Sequence, residues 1–340
     1  MSSNKDGTKK EILAEKSLDK TLRPDKWVDY IGQEGVKKNV QVLIRAAQER
    51  GQAPEHLLFY GPPGLGKTTL AILVAKEVGS SMKITSGPAI EKVGDLASIL
   101  TNLSPGDILF IDEIHRLNKS IEEVLYPAME SGVLDIIIGK GPSARTIQLE
   151  LPAFTMVAAT TQVASISSPL RSRFSGGVHR LNFYSEEEIE KILQRSAKLL
   201  GVVAPKEALK EIAKRSRFTP RTANYFLKRC RDLAQINKRD LSRDSVEETL
   251  NMLEIDKLGL SAHDRRILET IINKFAGGPV GLNTLATALS EEQSTVEEVH
   301  EPYLLQQGLI ERTPRGRVVT PRAYQHLKVT LPQNSQNKLI

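Results

Sequence analysis

The sequence predicts an α/β domain built on a parallel sheet flanked by helices, then a small all-helical domain and a C-terminal winged-helix module. Three observations carry that reading. Between residues 21 and 184, short apolar runs alternate with amphipathic stretches, and continuously apolar strands suit a parallel sheet covered on both faces. From residue 185 to 256 the periodicity is helical throughout. Residues 257–331 hold three helical stretches and a two-stranded element, which is the plan of a winged helix. Residues 1–20 and 332–340 are polar and read as flexible tails.

In chain order, the clearest strands are residues 56–60, 108–111 and 154–159. Between Gly132 and Pro152 a hairpin is expected, with Gly139-Lys140-Gly141-Pro142 at its turn. Ile147, Leu149 and Leu151 alternate with polar residues there. Leu134, Ile136, Ile137 and Ile138 are more densely apolar than one buried face requires, although a core role explains most of them. Ser185 followed by Glu186, Glu187 and Glu188 starts a helix, with a capping hydroxyl and acids at the positive end of the dipole. Residues 256–260 read as a junction. Helices follow near 263–275, 283–289 and 295–307, with a break at Gly277-Gly278-Pro279 and strands within 310–320.

Composition narrows the function classes. Of 340 residues, 40% are hydrophobic and 26% charged, the balance of a globular chain and not of a collagenous, disordered or membrane-embedded one. No apolar run approaches the roughly 18 residues that a spanning helix needs, and the N-terminus lacks a secretory pattern. Cys230 is the only cysteine, so no internal disulfide forms and a reducing, cytoplasmic setting is expected. The net charge of +6 is compatible with nucleic acid without establishing it. Its distribution says more: residues 205–243 hold 12 basic against 4 acidic side chains, and no acid follows Glu311.

Gly61-Pro62-Pro63-Gly64-Leu65-Gly66-Lys67-Thr68 follows a strand and opens a helix. In that context the glycines (Gly61, Gly64, Gly66) let backbone N–H groups turn onto phosphates, Lys67 neutralises them, and Thr68 can ligate Mg²⁺. An apolar strand ending in Asp112-Glu113 comes 45 residues after Lys67. Asp112 would hold Mg²⁺ through water, and Glu113 would orient and deprotonate the attacking water. These parts make an ATP hydrolase site. Thr160 and Thr161 end the next strand, where a hydroxyl either holds the water or γ-phosphate or caps the strand. Arg171 and Arg173 offer a forked cation for the developing γ-phosphate charge, in cis or in trans. Arg221, opening a later helix, could reach the phosphates or serve a surface ion pair.

Taken together these residues resemble the AAA+ ATPases and, within them, the RuvB family of Holliday-junction branch-migration motors. The narrower likeness rests on Leu22-Arg23-Pro24, the run from Phe110 to Leu117, the run from Leu125 to Glu130, and Thr219-Pro220-Arg221-Thr222-Ala223-Asn224. It rests also on the runs from Phe275 to Leu282, Glu301 to Gly308 and Arg312 to Arg317. The resemblance implies an AAA+ ATPase domain, an AAA+ lid and a DNA-binding winged-helix head. It implies an adenine and ribose pocket near Leu22, Arg23 and Tyr184, with phosphate on Gly64, Lys67, Thr68 and Thr69. Glu130, Ser131 and Gly132 fall where the family lines the nucleotide site. Arg173 matches a finger that reaches the neighbouring subunit's ATP, and Arg221 a second sensor. A homohexameric ring around duplex DNA follows, acting on four-way junctions with a RuvA-type partner docked on the hairpin (Leu134, Ile136, Ile137, Ile138) and a RuvC-type resolvase in a larger complex.

The third winged-helix helix carries Glu297, Glu298 and Glu301, which repel phosphate, whereas the wing carries Arg312, Arg315 and Arg317. Contacts from such a wing go to the backbone and ignore sequence, which favours a motor over a sequence reader. A replication-initiator-like platform would carry a more basic third helix, and a clamp-loader subunit would end in a helical collar. Gln162, Gln293 and the extra residue in Phe174-Ser175-Gly176-Gly177 depart from the family's pattern.

Overall fold

The structure is a computed structural model that describes residues 20–138 and 145–331, the side chains of Ile137, Ile138 and Arg145 excepted. The expected tails and the turn at Gly139-Lys140-Gly141-Pro142 lie outside the described residues. The chain forms two compact units: one runs to Leu199 and takes in Thr219–Arg221, and the other comprises Leu200–Phe218 and Thr222 onward.

The first unit begins with α1 (Glu34–Glu49), β1 (Leu57–Tyr60), α2 (Lys67–Val78), β2 (Met82–Ser86), α3 (Val93–Thr101) and β3 (Ile108–Asp112). It continues with α4 (Lys119–Glu130), β4 (Val133–Ile138), β5 (Arg145–Glu150), β6 (Thr155–Thr160), α5 (Ser168–Ser172), β7 (Val178–Arg180) and α6 (Glu186–Leu199). Five strands make a sheet in the order β2-β3-β6-β1-β7, with every neighbour parallel. Side chains alternate across it: Leu58, Leu109, Ile111, Met156 and Ala158 join the cluster that α3 and α4 cover, while Leu57, Phe59, Ile108, Phe110 and Val157 are fully buried on the other face. Burial on both faces is why the strands read as unbroken apolar runs.

Register sets the site. Tyr60 pairs with Thr160, and Ile111 with Ala158. The carboxyl ends of β1, β6 and β3 therefore lie side by side, where a parallel sheet collects its ligand. β4 and β5 form a separate antiparallel hairpin, with Leu134 opposite Leu149 and Ile136 opposite Ile147. At the start of α6, Ser185 Oγ accepts from Glu188 N at 3.2 Å and Glu188 Oε2 accepts from Ser185 N at 2.8 Å, a reciprocal cap of the kind Ser185 announced.

The second unit holds α7 (Lys206–Arg215), most of α8 (Pro220–Ile236) and α9 (Arg243–Met252), then α10 (Ala262–Phe275) and α11 (Leu282–Leu289). Next comes α12 (residues 293–306), interrupted by a π turn at Val296–His300, followed by β8 (Ile310–Thr313) and β9 (Gly316–Val319). A closing helix, α13 (Pro321–Leu327), was not anticipated, although Thr320-Pro321 is a sound helix start. Gly277 and Gly278 have φ of +84° and +98°, which lets Val280 pair with Arg317 on the wing. Among the described residues no helix is long and apolar enough to cross a membrane.

Phe110→Ala empties a fully buried ring position in β3. It should cost about 3–5 kcal/mol, read from the denaturant transition of the first unit; a cost under about 1 kcal/mol would contradict this packing.

Candidate nucleotide site

The loop after β1 turns back on itself through Gly61, Gly64 and Gly66, with φ of +140°, +81° and +94°. Any side chain at Gly61 would collide with the Leu181 carbonyl, so glycine is required there by space as well as by φ. Lys67, first residue of α2, is only 8% exposed. Its Nζ donates to Gly61 O at 2.7 Å and Pro62 O at 2.9 Å. Burial pulls its pKa from 10.5 down to about 8, with Asp112 opposing and Arg221 adding to the shift. Thr68 Oγ1 donates to Asp112 Oδ2 at 3.1 Å, so the two expected Mg²⁺ oxygens already adjoin. Thr69 follows in the first turn of α2.

Glu113 has φ +50°, a conformation that side chains avoid and that clusters at functional sites. Its N–H donates to Asp112 Oδ1 at 3.0 Å, and its carboxylate meets Arg116 at 3.4 Å. Gly87 packs on the Glu113 carbonyl so closely that a Cβ there would collide with it. The carboxylate itself is about half exposed and open to solvent. Of the two threonines, Thr160 is buried and committed: its hydroxyl bonds His115 Nδ1 at 3.0 Å and accepts from Gln162 N at 2.9 Å. Thr161 is partly exposed.

Leu22 and Tyr184 are buried, and Arg195 donates to Leu22 O at 2.8 Å and Arg23 O at 3.1 Å. Tyr184 Oη donates to Leu65 O at 3.1 Å and reaches Tyr30 Oη at 3.4 Å. Burial raises the Tyr184 phenol to about 12, so it stays a neutral donor. A Cβ at Gly66 would sit 3.1 Å from Tyr30 Oη. Sequence reasoning missed Tyr30, Arg195 and His115, because nothing in their spacing relates them to the loop. Arg221 N donates to Gly64 O at 3.4 Å, which brings the start of α8 against the loop.

Arg173 is held within its own chain. It donates to Glu130 Oε2 at 2.8 Å, to Pro169 O and to Ser172 Oγ, and lies 5.1 Å over the Tyr126 ring. None of these partners is in the phosphate loop. Ser131 and Gly132 form the turn from α4 into β4, with Gly132 at φ +65°. Two expectations need correction. Leu134 is fully buried in the core with Ile136 packed partly against it, so its side chain cannot serve as a docking contact. The outward apolar residue of the hairpin is Ile147, 45% exposed; the side chains of Ile137 and Ile138 lie outside the described set.

The wing, likewise, is not three free cations. Glu301, almost wholly buried, accepts from Arg312 Nη2 at 2.6 Å and from Arg317 Nε at 2.8 Å, and Glu297 adds a contact to each. Burial disfavours the Glu301 carboxylate, but the two arginines outweigh it and hold its pKa below the ordinary value. The Arg317 side chain is 13% exposed and that of Arg312 47%. Arg315 stands exposed at the wing tip. Of the departures, Gln162 Oε1 accepts from Ser165 Oγ, Gln293 Nε2 donates to Asn283 Oδ1, and Gly176-Gly177 make the turn into β7, with Gly176 N on His56 O.

Residues 22–181 match the Holliday junction DNA helicase RuvB P-loop domain, 184–256 the RuvB AAA lid domain, and 257–328 the RuvB C-terminal winged helix domain. The Holliday junction branch migration complex subunit RuvB of Dehalococcoides mccartyi is 56% identical over 330 residues, 97% of this chain and 94% of that one. Its counterpart in Chloroflexus aggregans is 55% identical over 322 residues, 94% and 92% of the two chains. Among solved structures, the Thermotoga maritima RuvB Holliday junction branch migration motor is 48% identical and matches with a TM-score of 0.84, covering 92% of this chain and 100% of that one. A replication-initiator-like platform is not favoured by these likenesses. With all three domains matched in order, the chain belongs to the RuvB family of AAA+ P-loop ATPases.

Proposed function

We propose that this chain is an ATP-driven translocase on duplex DNA that moves four-way junctions in recombination and repair. The observation that carries the reading is the meeting of Lys67, Thr68 and Asp112 at adjacent strand ends in a chain that also carries a winged helix. The domains proposed are residues 21–184 (ATPase), 185–256 (lid) and 257–331 (head). The chain works in the cytoplasm as a homohexamer, with a RuvA-type junction binder on the β4–β5 hairpin and a RuvC-type resolvase in the larger complex.

Lys67 gives up the Gly61 and Pro62 carbonyls to meet the β- and γ-phosphates, whose charge favours its ammonium form. The loop N–H groups and Thr69 complete the cradle. Leu22, Arg23 and Tyr184 hold the base and sugar. The paired oxygens of Thr68 and Asp112 fit Mg²⁺, a hard cation that takes few protein ligands and keeps its waters; there it would neutralise phosphate charge. Glu113 turns from Arg116 to orient the lytic water and take its proton. Thr161 has the freer hydroxyl to hold that water, while Thr160 serves as its support through His115. Arg221 reaches the phosphates from the start of α8. Arg173 leaves Glu130 to reach the ATP of the next subunit, with Glu130, Ser131 and Gly132 on the same face. On DNA, Arg315 and the outer edge of Arg312 meet backbone phosphate, with Arg317 bracing them through Glu301.

A synthetic four-way junction should dissociate with this chain, ATP and a RuvA-type partner. Glu113→Gln should still bind ATP but lose turnover by about 10²–10⁴-fold and leave the junction intact. Junction movement at normal rate in that variant would refute the assignment.

Arg173→Ala should bind ATP normally and lose about 10³–10⁵ in turnover. Mixing in Lys67→Ala subunits, which retain the finger, should restore hydrolysis. Failure at every mixing ratio would mean that Arg173 acts on its own subunit or only structurally. For the wing, Arg315→Ala should weaken DNA binding equally on all sequences and lower the salt slope by about one. A loss confined to some sequences would contradict backbone contact.

A further inference from the structure

Two consecutive residues without glycine's freedom, Arg217 and Phe218, adopt the left-handed conformation, at φ +56° and +55°. Such a pair persists only where surrounding contacts over-determine it. Here they do, and all of those contacts belong to the winged-helix module. Arg217 forms an ion pair with Asp264, donates from Nε to Gly259 O at 3.1 Å, and lies 5.3 Å over the Tyr303 ring. Phe218 packs on that same ring at 6.2 Å and against the module's core.

What receives Arg217 is rigid. Asp264 is fully buried and also accepts from Ser261 N at 2.7 Å, from Ser261 Oγ at 2.6 Å and from His300 Nδ1 at 2.7 Å. Burial works against its negative charge, but His300, Arg217 and Ser261 together hold its pKa below the ordinary value. The loop offering Gly259 O is pinned by Asp256, whose Oδ1 accepts from Leu258 N and Leu260 N, each at 2.9 Å. Tyr303 Oη in turn donates to Leu258 O.

The next residue begins the opposite attachment. Thr219–Arg221 belongs to the nucleotide-binding unit, Arg221 N donates to Gly64 O, and a Cβ at Gly64 would lie 3.2 Å from Arg221 Cβ and 3.6 Å from Thr219 Cβ. One peptide bond therefore separates a residue locked to the winged helix from a residue seated on the phosphate loop. Each of the two residues is held by contacts within its own unit.

We propose that Arg217 and Phe218 are positioning residues that couple the state of the phosphate loop to the DNA affinity of the winged-helix module. The proposal rests on the DNA-motor reading above. In linkage terms, ATP and DNA each change the other's affinity by one shared factor, and the Arg217–Asp264 anchor is what sustains it. Lysine keeps the charge of arginine but not its fork or its stacking, so Arg217→Lys separates anchoring from mere charge.

The test measures duplex-DNA affinity of the full chain, with and without a slowly hydrolysed ATP analogue, for wild type, Arg217→Lys, Phe218→Leu and Arg315→Ala. Wild type should show a nucleotide-dependent ratio of about 5-fold or more. Arg217→Lys and Phe218→Leu should bring that ratio close to one while nucleotide-free DNA affinity stays within about 3-fold of wild type. Arg315→Ala should lower affinity in both states and keep the ratio, as any residue acting only on DNA would. Should Arg217→Lys fail to fold, Phe218→Leu carries the comparison. A wild-type ratio well above one that both anchor variants preserve overturns the coupling alone. A wild-type ratio of one overturns the motor reading and the coupling with it.

Discussion

An ammonium group buried at the end of a parallel sheet organises the first unit. Lys67 has two backbone carbonyls as hydrogen-bond acceptors and, among the described residues, no ion-paired carboxylate, and burial disfavours its charge. The glycines at positive φ exist to bring backbone to the same point, and the apolar strands exist to hold the strand ends in line. Thr68 and Asp112, joined across two elements, fix the helix start to the neighbouring strand. Removing any of these would leave the lysine misplaced or hydrated, and the preorganisation for phosphate would be lost.

The winged helix solves a different electrostatic problem. Its third helix is acidic, and one of its acids, Glu301, is drawn inward to take two arginines from the wing. That arrangement fixes the hairpin's orientation and reduces the net charge that the wing presents. The same module fastens Arg217 by another buried carboxylate, Asp264. Two buried acids, Asp264 and Glu301, thus each anchor an arginine-bearing segment to this module.

Much of this was legible in the sequence. The phosphate loop, the acidic strand end and the switch from strand to helix periodicity are local patterns, and local patterns survive in one dimension. The cap at Ser185 was legible for the same reason. What escaped was pairing across the fold: Tyr30 and Tyr184 on the Leu65 carbonyl, Arg195 on Leu22 and Arg23, and His115 on Thr160. Burial, too, was invisible for single residues. Leu134 reads like its neighbours in the hairpin, yet it alone among those described is fully buried, because β4 follows α4 closely enough to share its core. Glu301 reads as a surface acid, and only the fold shows it enclosed by two guanidinium groups.

The loop holds a lysine whose charge burial disfavours, so that nearby phosphate charge should favour its ammonium form. With burial drawing its pKa down to about 8, Lys67 should take up a proton on meeting phosphate charge at higher pH, so affinity should fall as pH rises through that value. The direct measurement is calorimetry of MgATP binding in buffers of different ionisation enthalpy. At about pH 9 the account predicts uptake of most of one proton per ATP, seen as a binding heat that changes with the buffer, and uptake near zero at about pH 6.5. A heat independent of buffer at the higher pH would contradict it, and would mean that Lys67 is already fully charged before ATP binds.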